Sequence, residues 1–484
     1  MEASDEEFDT EEVRKLEKRL DELDPIPLPW KSDEEAMKDF WDYCEAKEAD
    51  TIMDGQLKNG MIMTSESGNK YTVVNLLGAG GQGEVYDVEC DGKHYALKWY
   101  FKGSATARQK KLLEEIIAKG APDSSFLWPM ELIVPSQGNL FGYIMPLRPK
   151  NYKSIVDLMK NRVNPSFYVI CRTAFNLTKG YRNLHIAGAK YQDISFGNLF
   201  FNPDNGDVLI CDNDNVSYGN SKPGGVLGTP GFMAPEIVRG EARPSRDTDR
   251  YSLAVLLFYL FMVNHPLEGK QEASIKCMDM AARVKLYGTD PIFIFDPDNK
   301  TNRPVPGIHD NANIYWPLYP EQLRHLFIKS FTVGLNNPSK RVTEPEWMNL
   351  FANMMSGLMK CTCGASVFYD ESLEANGVAH TCWNCQQTVK VPTRIVIGKN
   401  TVVLNQNSKL LHHHIYDDFD METVVGEVVQ NPKNPALWGI RNEDKLNWTY
   451  EKEDGTQIPV EVGKTAGIAA GVKIHFSESV GEFK

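Results

Sequence analysis

Between residues 61 and 110, apolar and polar positions alternate with a period of two. The runs are Tyr71-Thr-Val-Val-Asn-Leu-Leu, Glu84-Val-Tyr-Asp-Val and Tyr95-Ala-Leu-Lys-Trp-Tyr. That period places successive side chains on opposite faces of a strand, so each run predicts a strand, with Cys90-Asp-Gly-Lys as a hairpin turn. The period then changes. Ala107–Lys119 predicts a helix, and from about 155 to 355 the chain reads mostly helical. One strand pair interrupts it, Leu199-Phe-Phe and Val208-Leu-Ile, joined by Asn202-Pro-Asp-Asn-Gly. A mostly β lobe followed by a mostly helical lobe is an α+β arrangement with a cleft between the lobes. Beyond residue 390, short apolar runs such as Arg394-Ile-Val-Ile, Val424-Val-Gly-Glu-Val-Val and Val472-Lys-Ile-His-Phe recur between turns. They predict a small all-β domain over 393–484, with no repeat of fixed period.

Charge separates the first sixty residues from the rest. The 484-residue chain carries a formal charge of −13, and residues 1–60 hold 20 acidic and 8 basic residues. The body is therefore near neutral, which argues against a general nucleic-acid binder. Within 1–60, Val13, Leu16, Leu20 and Leu23 have helical spacing, DPIPLPW (24–30) breaks the helix, and a second start at Ser32 leads to Phe40, Trp41 and Tyr43. Two readings stay open: a solvated acidic helical extension, or a docking segment with an aromatic stripe. The N-terminus has neither a basic start nor an apolar run. The longest apolar stretch, Tyr251–Val263, falls short of the about 20 residues a membrane helix needs. The expectation is a cytoplasmic protein with no membrane span.

Gly78, Gly80 and Gly83 form G-x-G-x-x-G, followed by Val85. A dinucleotide-binding loop shares the string but opens into a helix, whereas a strand follows here. A strand–glycine loop–strand can fold over phosphates with backbone N–H groups and no side chains in the way. Ala96-Leu-Lys98 follows, which resembles the strand lysine of protein kinases; that resemblance implies a lysine on the phosphates and an acidic partner for it from the next helix. Glu114 and Glu115 are both available. Glu114 is favoured because Leu112 and Ile117 would flank it on the inward side. Downstream, Tyr191-Gln-Asp-Ile-Ser-Phe-Gly-Asn198 has D-x-x-x-x-N spacing, the 199–210 hairpin ends at Asp212, and Gly228-Thr-Pro-Gly-Phe-Met-Ala-Pro-Glu236 carries A-P-E. Arg341 lies in Asn337-Pro-Ser-Lys-Arg.

In this order and spacing, over 61–355, the chain resembles the protein kinase family. The resemblance implies an N-lobe over about 61–148 and a C-lobe over about 149–355. It implies ATP under Gly78, Gly80, Gly83, Val85, Ala96 and Met145, with Lys98 on the phosphates and Glu114 holding Lys98. Asp193 would accept the substrate hydroxyl proton, Asn198 and Asp212 would hold Mg²⁺ or Mn²⁺, and Arg341 would pair with Glu236. More narrowly, Tyr-Gln-Asp-Ile-Ser-Phe-Gly-Asn, the Cys211-Asp-Asn-Asp-Asn run and the trailing cysteines resemble one bacterial group. These are serine/threonine kinase-like proteins of tellurium-resistance-type gene clusters, which accompany a von Willebrand A-domain protein and a metal-dependent protein phosphatase. The expected function is Mg-dependent transfer of the ATP γ-phosphate to Ser/Thr hydroxyls of protein substrates. The alternatives are a pseudokinase or nucleotide-binding scaffold and, less favoured, a small-molecule kinase.

The chain departs from the family pattern in the catalytic loop and just after Asp212. Gln192 replaces the arginine that receives an activation-loop phosphate, and an amide cannot neutralise a phosphate dianion. Activity is therefore expected not to need phosphorylation of Ser217, Tyr218, Ser221 or Thr229. Ser195 replaces a lysine that touches the γ-phosphate, and Asn213-Asp214 replaces Phe-Gly after Asp212.

Cys361-Thr-Cys363 and Cys382-Trp-Asn-Cys385 make two close thiolate pairs, the ligand set of a structural Zn²⁺ site. A zinc ribbon is expected over 356–392, with Ala365-Ser-Val-Phe-Tyr and Gln387-Thr-Val-Lys-Val as paired strands. Trp438–Trp448, Asp454-Gly-Thr and Gly471–Phe476 are similar to forkhead-associated β-sandwiches. Lys399 stands where those domains carry the phosphate-binding arginine, and Ser408 and His412 are one step off, so phosphopeptide binding is not carried over. His412-His-His414 is read as part of a strand, whose alternating faces disfavour a shared metal site.

Overall fold

The computed structural model describes residues 56–135, 140–219, 228–406 and 408–484. The helix read at Thr10–Leu23, the aromatic segment after it and Ser221 lie outside the described residues.

The first lobe is a six-stranded antiparallel sheet in the order β1-β2-β3-β4-β6-β5. Its strands are β1 (Ile62–Thr64), β2 (Lys70–Ala79), β3 (Gly83–Cys90), β4 (Lys93–Tyr100), β5 (Glu131–Ile133) and β6 (Gly142–Pro146). The predicted hairpin joins β3 to β4. Asp91 and Gly92 both have positive φ, the mirror-image turn whose twist matches paired strands. Helix α1 (Ala107–Lys119) is capped by Thr106, whose side chain accepts from the Gln109 N–H, and ends at Gly120 with φ of +73°. Leu113 and Ile116 are its fully buried residues. Leu57 is buried against this sheet, its N–H donating to the Tyr86 hydroxyl at 3.0 Å. The packed lobe thus begins before residue 61, inside the segment read as extension.

The second lobe is helical around one large core. Helices α2 (Phe167–Ile186), α3 (Arg246–Met262), α4 (Glu321–Phe331) and α5 (Glu344–Ser356) supply most of it. The long apolar run proves to be α3, buried on nearly every side; such a helix belongs in a core. Among the described residues no helix is long and apolar enough to cross a membrane. Between α2 and α3 lies the predicted strand pair, β7 (Leu199–Phe201) and β8 (Val208–Ile210), antiparallel.

The cysteine segment and the C-terminal domain follow. Strand β9 (Leu358–Lys360) pairs with β10 (Ser366–Phe368). This corrects the expected pairing of 365–369 with 387–391; the later run instead turns back on the residues just before it, through an isolated Thr381–Thr388 bridge. The reason is local: Cys361-Thr-Cys363-Gly364 is itself the hairpin turn, with Gly364 at φ +89°, so the strand before it is the nearest partner.

Residues 394–483 form two antiparallel sheets with a shared core. One has the order β12-β11-β20-β19-β16-β17 and the other β13-β14-β15-β18. The strands are β11 (Arg394–Ile397), β12 (Asn400–Val403), β13 (Lys409–Leu411), β14 (Val424–Gln430), β15 (Trp438–Asn442), β16 (Trp448–Glu451), β17 (Gln457–Val460), β18 (Thr465–Gly467), β19 (Lys473–His475) and β20 (Val480–Phe483). The histidine triplet is not strand. His412–Tyr416 is a short helix closed by Asp417 at positive φ, with His413 and His414 buried. The sandwich docks on the helical lobe: Phe419 packs on Phe175, Arg172 meets Glu422 at 2.5 Å, and the Ser356 hydroxyl and His414 Nε2 are 2.8 Å apart.

Candidate active site in the cleft between the lobes

The sheet register assembles one wall of the cleft. Gly78 pairs with Val85, Val85 with Lys98 and Lys98 with Tyr143, so these residues form a row across β2, β3, β4 and β6. Ala96 pairs with Met145 two positions along. Residues directly opposite on antiparallel strands share a face, which puts Gly78, Val85, Ala96, Lys98 and Met145 on one side of the sheet. Gly83 has a steric reason to be glycine. A Cβ there would lie 2.2 Å from the Trp99 carbonyl oxygen.

Lys98 is buried and meets two carboxylates. Its Nζ bonds Asp212 Oδ1, lies 2.8 Å from Asp214 Oδ2 and 3.3 Å from Gln82 Oε1. Burial alone would lower the lysine's pKa, but Asp212 and Asp214 outweigh it and hold the ammonium above its ordinary value. Burial likewise opposes ionisation of Asp212, and Lys98 overcomes it, leaving Asp212 lowered. Asp214, fully enclosed, is raised by burial.

Glu114 is not among these partners, contrary to expectation. Its carboxylate is about half exposed and lies 3.9 Å from Lys110, one turn away on its own helix. The cause is helix phase. Leu113 and Ile116 are the fully buried positions, Leu112 and Ile117 pack partly buried at the edges of the same stripe, and Glu114 falls outside it and turns to solvent. Facing the cleft, α1 offers Gln109 instead, whose Nε2 donates to the Asp214 carbonyl at 2.9 Å and lies 3.2 Å from the Tyr100 hydroxyl. Tyr100 in turn donates to Asp214 Oδ2. Asp214, Tyr100 and Gln109 were missed by sequence reasoning. The available signal was that Lys98 and Tyr100, two apart on one strand, share a face.

Asp193 and Asn198 come from the loop before β7. The Asn198 amide donates to the Asp193 carbonyl at 2.8 Å. Thr229 donates to Asp193 Oδ1 at 2.6 Å. Burial pushes the Asp193 carboxyl up to about 6, against the lowering effect of the Thr229 bond. The loop backbone is pinned from below by Asp249, which accepts from the N–H groups of Tyr191 at 2.8 Å and Gln192 at 3.0 Å. Gln192 has a left-handed backbone, φ +76°. Its side-chain amide donates to the Asn215 carbonyl and the Ser217 hydroxyl, both at 2.7 Å. Ser217 is itself buried. Glu236 and Arg341 form the expected buried pair, two N–H···O bonds of 2.8 Å each, a planar fork on a carboxylate.

The cysteines converge as the spacing predicts. Their four sulfurs lie within 4.8 Å of one another, with Cys361–Cys385 and Cys363–Cys382 each at 3.6 Å. A Zn–S bond of about 2.3 Å puts tetrahedral corners about 3.8 Å apart, so the set suits a closed four-thiolate site. The Ala365 N–H and Asn384 lower the Cys363 thiol to about 6. In the C-terminal domain, Ser408 Oγ bonds Asn405 N–H and the Val403 carbonyl, Lys399 pairs with Asp417, and His412 lies 2.7 Å from Asp418.

The family model for the protein kinase domain matches residues 71–352, more than half of the chain. The chain is 29% identical over 219 residues to a probable serine/threonine-protein kinase, CCRP1, of Zea mays, covering 44% of this chain and 34% of that protein. It is 25% identical over 214 residues to protein kinase C delta type of Rattus norvegicus, covering 42% and 30%. It is 25% identical over 247 residues to beta-adrenergic receptor kinase 1 of Homo sapiens, covering 48% and 34%. The chain thus spans about a third of the length of these curated relatives. With the glycine loop, Lys98, Asp193, Asn198, Asp212 and the Glu236–Arg341 pair assembled around one cleft, the chain belongs to the protein kinase family.

Proposed function

We propose that this protein is an ATP-dependent serine/threonine protein kinase that is active without phosphorylation of its activation segment. The observation that carries the reading is the Thr229–Asp193 bond. One oxygen of Asp193 is held, its carboxylate is oriented, and the other oxygen is left for a substrate hydroxyl. A carboxylate titrating at about 6 is ionised at neutral pH yet basic enough to take that proton during in-line attack on the γ-phosphate.

Lys98 would engage the α- and β-phosphates beneath the glycine loop. The remaining charge suits a divalent cation. Asp193, Asp212 and Asp214 act on one another around a single ammonium, and Oδ1 of Asp214 is buried without a hydrogen-bond partner. Excess negative charge and oxygen donors fit a hard ion such as Mg²⁺, which Asp212 and Asn198 would hold. When bound, it would neutralise charge on the transferring phosphoryl group. Ser195 leaves that group one cation short of the family pattern, so Lys98 and the metal carry the charge stabilisation.

The neutral seat supports independence from phosphorylation. Gln192 already bonds the segment at Asn215 and Ser217, and the buried Ser217 hydroxyl leaves no room for a phosphate. Four converging thiolates support a structural zinc with no open position. The von Willebrand A-domain and phosphatase partners, and a bacterial cytoplasmic setting, rest on the motif strings alone. The deciding experiment is labelled-ATP transfer to a generic protein substrate by wild type and Asp193→Asn. Labelling that disappears in the variant is expected; equal labelling removes Asp193 from its role and favours a scaffold.

A further inference from the structure

In the reading above, Asp212 serves a metal ion. One carboxylate cannot give the same oxygens to a divalent cation and to an ammonium, so Lys98 needs a second anion to stay in place. Helix α1 does not supply it. Glu114 lies out at Lys110, and the helix meets the cleft with the neutral Gln109. Asp214 does. Its Oδ2 lies 2.8 Å from Nζ, and the residue is fully buried. Its segment is fixed by the Asn213 amide, which donates to the carbonyls of Leu127 at 2.8 Å and Ile210 at 3.0 Å. Tyr100, on the same face of β4 as Lys98, donates to the same carboxylate and is itself met by Gln109. We propose that Asp214 is the positioning residue for Lys98, oriented by Tyr100 and Gln109, so that the phosphate clamp closes without a carboxylate from helix α1. Swinging α1 by its acidic face then cannot open the clamp.

The inference rests on the proposed nucleotide role of Lys98, so both turnover and nucleotide affinity are measured. The proteins are full-length wild type, Asp214→Asn, Tyr100→Phe, Glu114→Gln, Lys98→Gln and the Asp214→Asn/Lys98→Gln double variant, with melting curves to verify folding. For Asp214→Asn, kcat/KM for ATP is expected to fall about 10- to 100-fold, and for Tyr100→Phe about fivefold. Glu114→Gln should stay within about twofold of wild type. The double variant should be no worse than Lys98→Gln, because the two residues act as one unit. Full multiplication of the two losses, an unchanged Asp214→Asn, or an equal loss in Glu114→Gln would overturn the proposal. If Asp214→Asn does not fold, an unchanged Tyr100→Phe overturns it. Affinity for a fluorescent ATP analogue separates the two claims. A wild type that binds the analogue, weakens with Asp214→Asn and transfers nothing would defeat the kinase reading and keep the clamp. Normal transfer and affinity in Asp214→Asn would do the reverse.

Discussion

Toward the glycine loop, the residues next to Asp193 are held by charge: Lys98 sits between Asp212 and Asp214, with Lys98 and Asp214 buried and Asp212 about one-third exposed. Toward the activation segment, the same loop is held by a neutral amide, Gln192 on Asn215 and Ser217. Buried charges are costly to assemble and are tolerated where each has partners, as on the loop-facing side. Neutral hydrogen bonds contribute about 1 kcal/mol each and need neither a phosphate nor a particular pH. The contrast teaches where this chain keeps its chemistry and where it has dispensed with a switch.

Removing charge from the first side should have the largest effect. Asp212→Asn is expected to reduce kcat about a thousandfold while leaving the melting temperature within a few degrees, read by steady-state phosphotransfer and calorimetry. Adding charge to the second side should hurt stability instead. Gln192→Arg would bury a cation where only neutral partners wait, at a cost of about 3 kcal/mol, or about a hundredfold in the folding equilibrium, read by denaturant titration. An unchanged midpoint would mean the seat accepts an ion pair after all.

Acidity gives a third contrast. Asp193 is raised to about 6 by burial, so its ionised, proton-accepting form grows as pH rises through that value. The single-turnover rate should climb about tenfold from pH 5 to pH 7, whereas the neutral Gln192 seat adds no titration of its own. A flat profile would remove Asp193 as the proton acceptor. The smallest effect is reserved for Ser217→Ala. Gln192 keeps its bond to the Asn215 carbonyl, so activity should remain within about twofold of wild type.

Much of this was legible in the sequence, and the exceptions share a cause. Lys98, Asp193, Asn198, Asp212, Glu236 and Arg341 are chemical residue types at fixed spacings on elements of unmistakable period. Their placement follows once the strands and helices are right. Glu114 failed because the choice among helix residues depends on rotation. A shift of one position turns a side chain by about 100°, and the buried stripe centres on Leu113 and Ile116 with Leu112 and Ile117 at its edges, so Glu114 falls outside it. Asp214 was hidden because its partners Lys98 and Tyr100 are distant in the chain; only the packing of two lobes joins them. The cysteine spacing revealed the four-sulfur cluster but not the strand pairing, which the Gly364 turn decides. The histidine triplet has no period long enough to tell strand from one helical turn, and burial against the helical lobe made it helix.

The most direct test of the neutral seat is the initial rate of the full-length enzyme after exhaustive treatment with a broad-specificity phosphatase, with mass spectrometry verifying that no phosphate remains on residues 217–229. Phosphotransfer within about twofold of the untreated protein is the predicted result. A loss of about tenfold or more, restored by rephosphorylation, would show that a phosphate completes the site and that Gln192 does not replace it.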